Sequence, residues 1–287
     1  MSVFILCTMR SYSSLICAML GEHPELYGLP EINLAVAEDI GGMMDFYQRR
    51  PHGLHGLIRS VAQLRSGATN DDTVAEAEAW IAARRDWSTR RMLDWIEAEV
   101  APRRIIDKSP VLVRAPAMLE RLYRMRPEAQ FLHVVRQPAA VCRSIDRLNA
   151  AIDAETGKSL SRRVDAEQVW LKCNNNVLEF RKRCAPGQCL TLQGEAFLGQ
   201  FDRYAPQLCE WLGIRSDAEA MAAMLHPERS PYACLGPEAA RYGNDPNFLK
   251  SPAFTPRPIE IEAVADGVDG RAFKPRTLKI ARQLGYA

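Results

Sequence analysis

The chain has 287 residues, of which 47% are hydrophobic and 25% are charged, and its formal net charge is only +2. This length and apolar content are enough for one large core, whereas so small a net charge argues against a protein that binds nucleic acid through its overall charge. The eight cysteines form no Cys-x-x-Cys pair and have no histidine at ligand spacing, so we expect neither a disulfide framework nor a metal site.

No apolar run reaches the length of a transmembrane helix, and no signal-like segment precedes the first apolar run. We therefore expect a cytoplasmic protein of bacterial type with no membrane span. The sequence leaves open whether the chain is a standalone protein or one domain of a longer one, and it leaves the oligomeric state open as well.

Predicted strands and helices alternate along the chain. Short, strongly apolar segments predict five strands, at 3–7, 25–29, 104–107, 129–135 and 188–192. Apolar residues at helical spacing predict helices after each strand, among them 115–125, a helix from Pro138, 165–184, 200–213 and 273–284. The first of these helices follows the strand at 3–7 directly, with Ser13 or Ser14 as its N-cap and Gly21 as its C-cap glycine.

This alternation predicts an α/β fold with three layers, in which a mostly parallel central sheet is flanked by helices. We expect one domain over residues 1–287. Residues 33–100 read as a helical insert on the substrate side, and residues 226–258 read as a late loop rich in Pro, Gly and Asn that covers a ligand.

The loop after the first strand has the composition of an anion site. Residues 8–14 read TMRSYSS, so one arginine and several hydroxyls precede a helix N-terminus. Such a terminus offers free backbone N–H groups and a positive dipole to an anion. The phosphate-loop pattern G-x-x-x-x-G-K-[ST] is absent, which weakens the interpretation as a nucleoside-triphosphate site.

A second cation follows the fourth strand. Arg136 comes directly after the apolar segment 129–135, and Ser144 lies eight residues further on, within the next helix. Ligands of open α/β sheets bind at the carboxyl ends of the strands. Arg136 and Ser144 are therefore candidates to hold one phosphate together.

These segments resemble the sulfotransferases that use 3′-phosphoadenylyl sulfate (PAPS). RSYSSL at 10–15 is similar to the family's phosphosulfate loop, and VRQPAAVCRS at 135–144 is similar to its 3′-phosphate motif. DKSP at 107–110 and GNDPNF at 243–248 match further segments of bacterial members. The four motifs occur in the family's order over most of the chain.

The sequence also departs from the family pattern. Tyr12 stands where glycine is usual, and Gln137 replaces the usual aspartate. LQGEAF at 192–197 replaces a motif with a tyrosine that often lies near adenine, and Pro110 stands where many animal members have a catalytic histidine. The ring of Tyr12 either crowds the phosphosulfate loop or covers the nucleotide.

The resemblance implies PAPS as donor and PAP, 3′-phosphoadenosine 5′-phosphate, as product. It implies that Arg10 stabilises the charge that grows on the 5′-phosphate, and that Arg136 and Ser144 hold the 3′-phosphate. The remaining cofactor-binding residues that it implies are Ser11, Tyr12, Ser13 and Ser14 in the first loop, Trp170 stacked on adenine, and Tyr242, Gly243 and Asn244 closing over the nucleotide.

The implied acceptor is the hydroxyl of a small molecule, and its proton needs a general base. Glu31, which follows the second strand in LPEINL, is the first candidate, and His52 and His55 in RRPHGLHG are the second. Lys108, next to Asp107, is a candidate to position the acceptor or the sulfonate. No metal is required.

Two alternatives stay open. A phosphate-loop kinase would use Asp107 for magnesium, although the missing Gly-Lys pair counts against it. A non-catalytic protein that binds PAP or another nucleotide would explain Tyr12 and the missing histidine.

Overall fold

The computed structural model describes residues 1–156, 164–256, 259 and 267–286. Five strands form the central sheet: β1 (Val3–Cys7), β2 (Leu26–Gly28), β3 (Arg104–Lys108), β4 (Gln130–Val135) and β5 (Cys189–Gln193). Their order is β2-β3-β1-β4-β5, and each neighbouring pair is parallel. The predicted α/β class and parallel central sheet are confirmed.

Thirteen helices are described around this sheet. They are α1 (Ser13–Gly21), α2 (Ile40–Tyr47), α3 (His55–Ser66), α4 (Asp71–Ala82), α5 (Thr89–Val100), α6 (Pro116–Met125), α7 (Pro138–Thr156), α8 (Ala166–Arg181), α9 (Gly194–Gly199), α10 (Phe201–Leu212), α11 (Ala218–Ala223), α12 (Pro246–Lys250) and α13 (Pro275–Gln283). A short antiparallel pair, β6 (Gly267–Val268) and β7 (Arg271–Ala272), precedes α13. None of the described helices is both long and apolar enough to cross a membrane.

The sheet is buried on both faces because strand side chains alternate between them. In β1, Phe4 and Leu6 belong to the core beneath the helical insert, whereas Val3, Ile5 and Cys7 belong to the core that includes residues of α1 and α10. Both faces of β1 therefore need apolar residues, which is why its sequence is a continuous apolar run. The three predicted layers are confirmed.

The central position of β1 determines where the polar loops meet. β1 pairs with β3 on one side and with β4 on the other. Because all three strands are parallel, their carboxyl ends lie side by side, and the segments after Cys7, Lys108 and Val135 emerge at the same edge. This edge is where the sequence places its candidate functional residues.

Two local predictions about α1 were wrong. Its N-cap residue is Tyr12, in the left-handed conformation and without a side-chain cap hydrogen bond, so neither Ser13 nor Ser14 caps it. Gly21 is the last residue of the helix and is followed by Glu22 in a right-handed conformation. A Cβ on Gly21 would lie 2.5 Å from the Cα of Gly28, so this glycine permits close packing of α1 on β2.

The predicted insert contains α2 to α5, and their apolar faces share one core with the sheet face that carries Phe4 and Leu6. Within it, Trp80 and Trp95 are in contact, with ring centroids 4.6 Å apart. The late loop is irregular except for two short 3-10 turns and α12. Residues 257 and 258, at the end of its predicted range, lie outside the described residues.

Candidate active site

The loop between β1 and α1 turns through two left-handed residues. Arg10 has φ 67° and Tyr12 has φ 62°, a region that costs a residue with a side chain roughly 1 kcal/mol or more. Glycine is the usual residue for such a position. The chain therefore keeps the turn that glycine favours and carries a tyrosine in it.

The ring of Tyr12 lies beside Arg136 and Gly194. The guanidinium carbon of Arg136 lies 4.0 Å from the ring centroid, and a Cβ on Gly194 would lie 3.0 Å from Cδ2 of Tyr12. Cation–π contact of this kind contributes about 0.5–2 kcal/mol, which offsets the cost of the left-handed backbone. The side chain thus supports Arg136 rather than filling the loop.

One cavity of about 590 Å³ brings the two predicted anion anchors together. Its lining includes the predicted residues Arg10, Ser11, Tyr12, Ser13, Ser14, Arg136 and Ser144. The N-terminus of α1 contributes to one side and the first turns of α7 to another. A cavity with this lining can take a ligand with two charged groups.

The two anchors are in direct contact. Nε of Arg10 donates to Oγ of Ser144 at 2.9 Å, and Nη1 of Arg136 donates to the backbone oxygen of Arg10 at 2.9 Å. The guanidinium of Arg10 also forms an ion pair with Asp245 of the late loop. The two predicted anchors are thus hydrogen-bonded to each other in this structure, while the buried Nε of Arg136 has no hydrogen-bond partner among the described residues.

The segment after β4 is held from beneath by buried groups. Trp170 is fully buried, and its Nε1 donates to the backbone oxygen of Arg136 at 2.9 Å. The prediction that Trp170 stacks on adenine is therefore wrong, because neither face of the ring is open. The indole instead fixes the backbone that carries Arg136.

A second buried contact fixes the next residue. The carboxylate of Glu195 accepts the backbone N–H of Gln137 at 2.9 Å and the hydroxyl of Tyr286 at 2.9 Å. Glu195 comes from the segment 192–197 that departs from the family motif. Sequence reasoning missed its role, because nothing in the spacing shows that β5 ends beside the start of α7.

The late loop contacts both the start of α1 and the segment that follows β2. The backbone oxygen of Gly243 accepts the N–H of Glu31 at 2.7 Å, and the backbone N–H of Asp245 donates to Oγ of Ser14 at 2.9 Å. The amide of Asn244 donates to the backbone oxygen of Tyr232 at 3.1 Å. Asp245 lines the cavity, whereas Tyr242, Gly243 and Asn244 are outside its lining.

Glu31 and Lys108 form a close pair on the other side of the late loop. Nζ of Lys108 lies 2.6 Å from Oε1 of Glu31, and the lysine side chain is 1% exposed while the glutamate side chain is 33% exposed. A buried ammonium needs such a partner. The carboxylate reaches solvent on its open side, where an acceptor hydroxyl can approach it.

Asp107 is part of the support for this pair. Its carboxylate accepts hydrogen bonds from the hydroxyl of Ser109, at 3.0 and 3.1 Å, and from the N–H of Ile32 at 3.4 Å. Burial raises the pKa of Asp107 to about 7. Among the residues that the structure describes, no group of three His, Cys, Asp or Glu side chains is placed to hold a metal ion.

The two candidate histidines differ in their surroundings. His55 is buried, its Nδ1 accepts the backbone N–H of Tyr242 at 3.3 Å, and its ring stacks on that tyrosine with centroids 5.9 Å apart. Burial lowers the pKa of His55 to about 4, so the ring is neutral near pH 7. His52 is exposed. Neither histidine lines the cavity.

Three further charged residues line the cavity that the sequence did not single out: Arg143, Arg147 and Asp245. Asp245 lies inside the motif at 243–248, so the sequence indicated its place in the late loop but not its ion pair with Arg10. Arg143 and Arg147 were detectable from their spacing, because they lie one residue before and three residues after Ser144 on the same helix.

Comparison with known proteins gives a consistent result. Residues 2–218 match the model of the sulfotransferase family. The sulfotransferase domain from the curacin biosynthetic pathway is 25% identical, with a TM-score of 0.78 over 100% of this chain and 98% of that one. The sulfotransferase domain from the Synechococcus PCC 7002 olefin synthase is also 25% identical, with a TM-score of 0.77 over 100% of this chain and 94% of that one.

A sulfotransferase from Mycobacterium avium, 14% identical with a TM-score of 0.50 over 87% of this chain and 74% of that one, shares the fold. No curated protein sequence matches the chain. Because the family model covers most of the residues, the chain belongs to the sulfotransferase family.

Proposed function

We propose that the protein transfers a sulfuryl group from PAPS to the hydroxyl of a small molecule and releases PAP. The observation that carries the proposal is the single cavity that contains both the loop after β1, with Arg10, and the start of α7, with Arg136 and Ser144. PAPS has a phosphosulfate and a separate 3′-phosphate, so it needs two groups of anion ligands within one site. The residues present fit that requirement.

The chain supplies the donor site with fixed donors. Arg10 and the hydroxyls of Ser13 and Ser14 would face the phosphosulfate at the N-terminus of α1, where the helix dipole favours negative charge. Their preorganisation stabilises the charge that develops on the leaving phosphate. Arg136 and Ser144 would hold the 3′-phosphate, with Arg136 kept in place by the ring of Tyr12.

Glu31 would take the proton of the acceptor hydroxyl. It is partly exposed, and its carboxylate is paired with the buried ammonium of Lys108, which fixes the orientation of the carboxylate. A carboxylate held in this way can act as a general base within hydrogen-bond reach of a bound alcohol. The backbone contact between Glu31 and Gly243 links this group to the late loop and so to the donor site.

The names of two similar structures suggest a class of acceptor. Both are named as domains of biosynthetic systems, the curacin pathway and an olefin synthase. We propose that this chain likewise acts on a hydroxyl of a biosynthetic intermediate rather than on a protein side chain.

The alternatives make different predictions about metals and turnover. A kinase that used Asp107 would place magnesium on a buried carboxylate that already accepts hydrogen bonds from Ser109 and Ile32. Sulfuryl transfer through the residues named above should continue in the presence of a chelator. A non-catalytic nucleotide-binding protein would bind PAP without turnover.

The test combines binding with catalysis. We expect PAP at about a hundred times its dissociation constant to stabilise the protein by about 2.7 kcal/mol, and we expect labelled sulfate to move from PAPS to a member of a panel of hydroxylated acceptors. Arg136→Ala should remove most of the PAP stabilisation, whereas Arg90→Ala, an exposed site on α5, should not. Stabilisation by ATP with magnesium but not by PAP would overturn the proposal.

A further inference from the structure

Arg59, on α3, is a buried cation without an acidic partner. Its side chain is fully buried, and no carboxylate in the described part of the chain forms an ion pair with it. Nη1 donates to the backbone oxygen of Tyr242 at 3.1 Å, whereas the buried Nε has no hydrogen-bond partner among those same residues. A buried charge is costly unless an opposite charge compensates it. This guanidinium therefore lies where an anion would be stabilised.

The second terminal nitrogen of this guanidinium points to a cysteine of the late loop. Nη2 of Arg59 lies 3.7 Å from Sγ of Cys234. Cys234 is exposed, so its thiol is accessible from solvent while it also contacts the guanidinium. The contact that the thiol donates, to the backbone oxygen of Pro231, is long, at 4.0 Å. The loop packs closely here, since a Cβ on Gly236 would lie 3.2 Å from Cδ and Nε of Arg59.

The other seven cysteines are poorly placed for chemistry at sulfur. Six of them are buried, and Cys184 is half-buried. Burial raises the pKa of all seven thiols, to about 12 for Cys7, Cys142 and Cys189. The thiolate is the reactive form of cysteine, so these residues combine poor access with a small thiolate fraction. Cys234 differs from them in its exposure and in its cationic neighbour.

We propose that Cys234 is a site of oxidative modification, at which a peroxide converts the thiol to a sulfur oxyanion that Arg59 binds. The thiol releases its proton to solvent, and the sulfur attacks one oxygen of hydrogen peroxide. An S–O bond forms as the O–O bond breaks, and the departing hydroxide takes up a proton and leaves as water. Sulfur loses two electrons and the peroxide gains them, which gives a sulfenic acid; a second peroxide oxidises it to the sulfinate anion. An oxygen on Sγ lies within hydrogen-bond reach of Nη2.

This site is separate from the donor cavity, whose lining includes neither Arg59 nor Cys234. The proposal therefore does not depend on the proposed function. The same guanidinium holds the backbone oxygen of Tyr242, and the next residue, Gly243, accepts the N–H of Glu31. A modified Cys234 would thus be joined, through Arg59, to the part of the late loop that lies beside Glu31.

The first experiment maps the reactive cysteine. The protein is treated with hydrogen peroxide in the presence of dimedone, which traps sulfenic acids, and the labelled peptides are quantified by mass spectrometry. We expect the label to form on Cys234 roughly tenfold faster, or more, than on any other cysteine, and we expect Cys234→Ser to lose it. Equal rates of labelling at Cys184 and Cys234, or no label on Cys234, would overturn the proposal.

The second experiment asks whether Arg59 binds an anion at this position. Cys234→Asp places a carboxylate near the position of the sulfinate, and Cys234→Asn is the neutral control of the same shape. We expect the aspartate variant to melt at least about 2 °C higher than the asparagine variant, and we expect this difference to disappear when Arg59→Met is added.

Equal melting temperatures of the aspartate and asparagine variants would overturn the role of Arg59, and so would a difference that persists with Arg59→Met. The comparison of the two Cys234 variants with Arg59 intact decides the question by itself if Arg59→Met does not fold.

Discussion

Replacing Glu31 separates a structural role from a catalytic one. The ammonium of Lys108 is 2.6 Å from this carboxylate and its side chain is almost fully buried, whereas the side chain of Glu31 is one-third exposed. Glu31→Ala would leave a buried positive charge without a partner. Removing one member of a buried pair costs about 3–5 kcal/mol, and the exposure of the glutamate reduces our estimate to about 2–3 kcal/mol.

Three further variants test the difference in burial between Lys108 and Glu31. Lys108→Met removes the buried charge and leaves a carboxylate that water can reach, so it should destabilise the protein less than Glu31→Ala. The double variant with both substitutions should be more stable than Glu31→Ala alone, because the unpaired ammonium is gone. Glu31→Gln keeps an oxygen that accepts from Lys108, so it should lose less stability than the alanine variant.

Catalysis should follow a different order. Both Glu31→Gln and Glu31→Ala lack the base, so we expect each to lose a factor of about 10²–10⁴ in single-turnover sulfuryl transfer. Stability is measured by thermal unfolding, where 1 kcal/mol corresponds to about 2–4 °C in a domain of 150–250 residues. Activity of Glu31→Gln close to that of the original protein would refute the assignment of the base, and failure of Lys108→Met to rescue Glu31→Ala would refute the ion-pair argument.

Three further predictions concern the donor site and the core. Tyr12→Gly should weaken PAP binding about 2- to 30-fold, because Arg136 loses its contact with the aromatic ring. Tyr12→Phe keeps the ring and should bind PAP like the original protein. Equal PAP binding by the original protein and both variants in a calorimetric titration would contradict the role of the ring. Asp245→Asn should tighten PAP binding, because it removes the carboxylate that competes with the ligand for Arg10, while an asparagine can still cap α12. Weaker PAP binding in the same titration would show instead that the carboxylate orients Arg10. Burial lowers the pKa of His133 to about 4 from an ordinary value of 6.5, so the folded protein binds this proton less readily than the unfolded chain, and stability should fall as the pH falls through that interval. Melting curves between pH 7 and 4 should therefore show a smaller loss of stability for His133→Gln than for the original protein. Equal losses in the two proteins would contradict the assignment.

The sequence was sufficient for the sheet because the strand signal is strong and local. Continuous apolar runs mark β1 and β4, and the structure places their ends within a residue or two of the predicted bounds. The rule that ligands bind at the carboxyl ends of parallel strands then predicts that Arg10 and Arg136 lie at one edge of the sheet. These inferences need only burial on both faces and the parallel arrangement of the strands.

The wrong predictions concern residues whose role depends on what packs against one face of a helix or loop. Trp170 sits on a helix whose periodicity does not show what lies against it, so burial beneath Arg136 could not be distinguished from a ligand contact. The ion pair between Arg10 and Asp245 joins residues 235 positions apart in the chain. Contacts at such separations depend on the folded path of the late loop, which has little regular structure to predict.

The glycine pair between α1 and β2 has a consequence for the ligand site on the opposite end of that helix. A Cβ on Gly28 would lie 3.0 Å from both the backbone oxygen of Cys17 and the Cα of Gly21. With no layer of side chains at this crossing, the helix rests directly on the sheet backbone. Ser13 and Ser14 are the first residues of the same nine-residue helix. The close contact between Gly21 and Gly28 therefore helps to set the position of these two serines in the cavity. A Cβ on Gly21 would lie 2.5 Å from the Cα of Gly28, so we expect Gly21→Ala to displace α1 and, with it, Ser13 and Ser14.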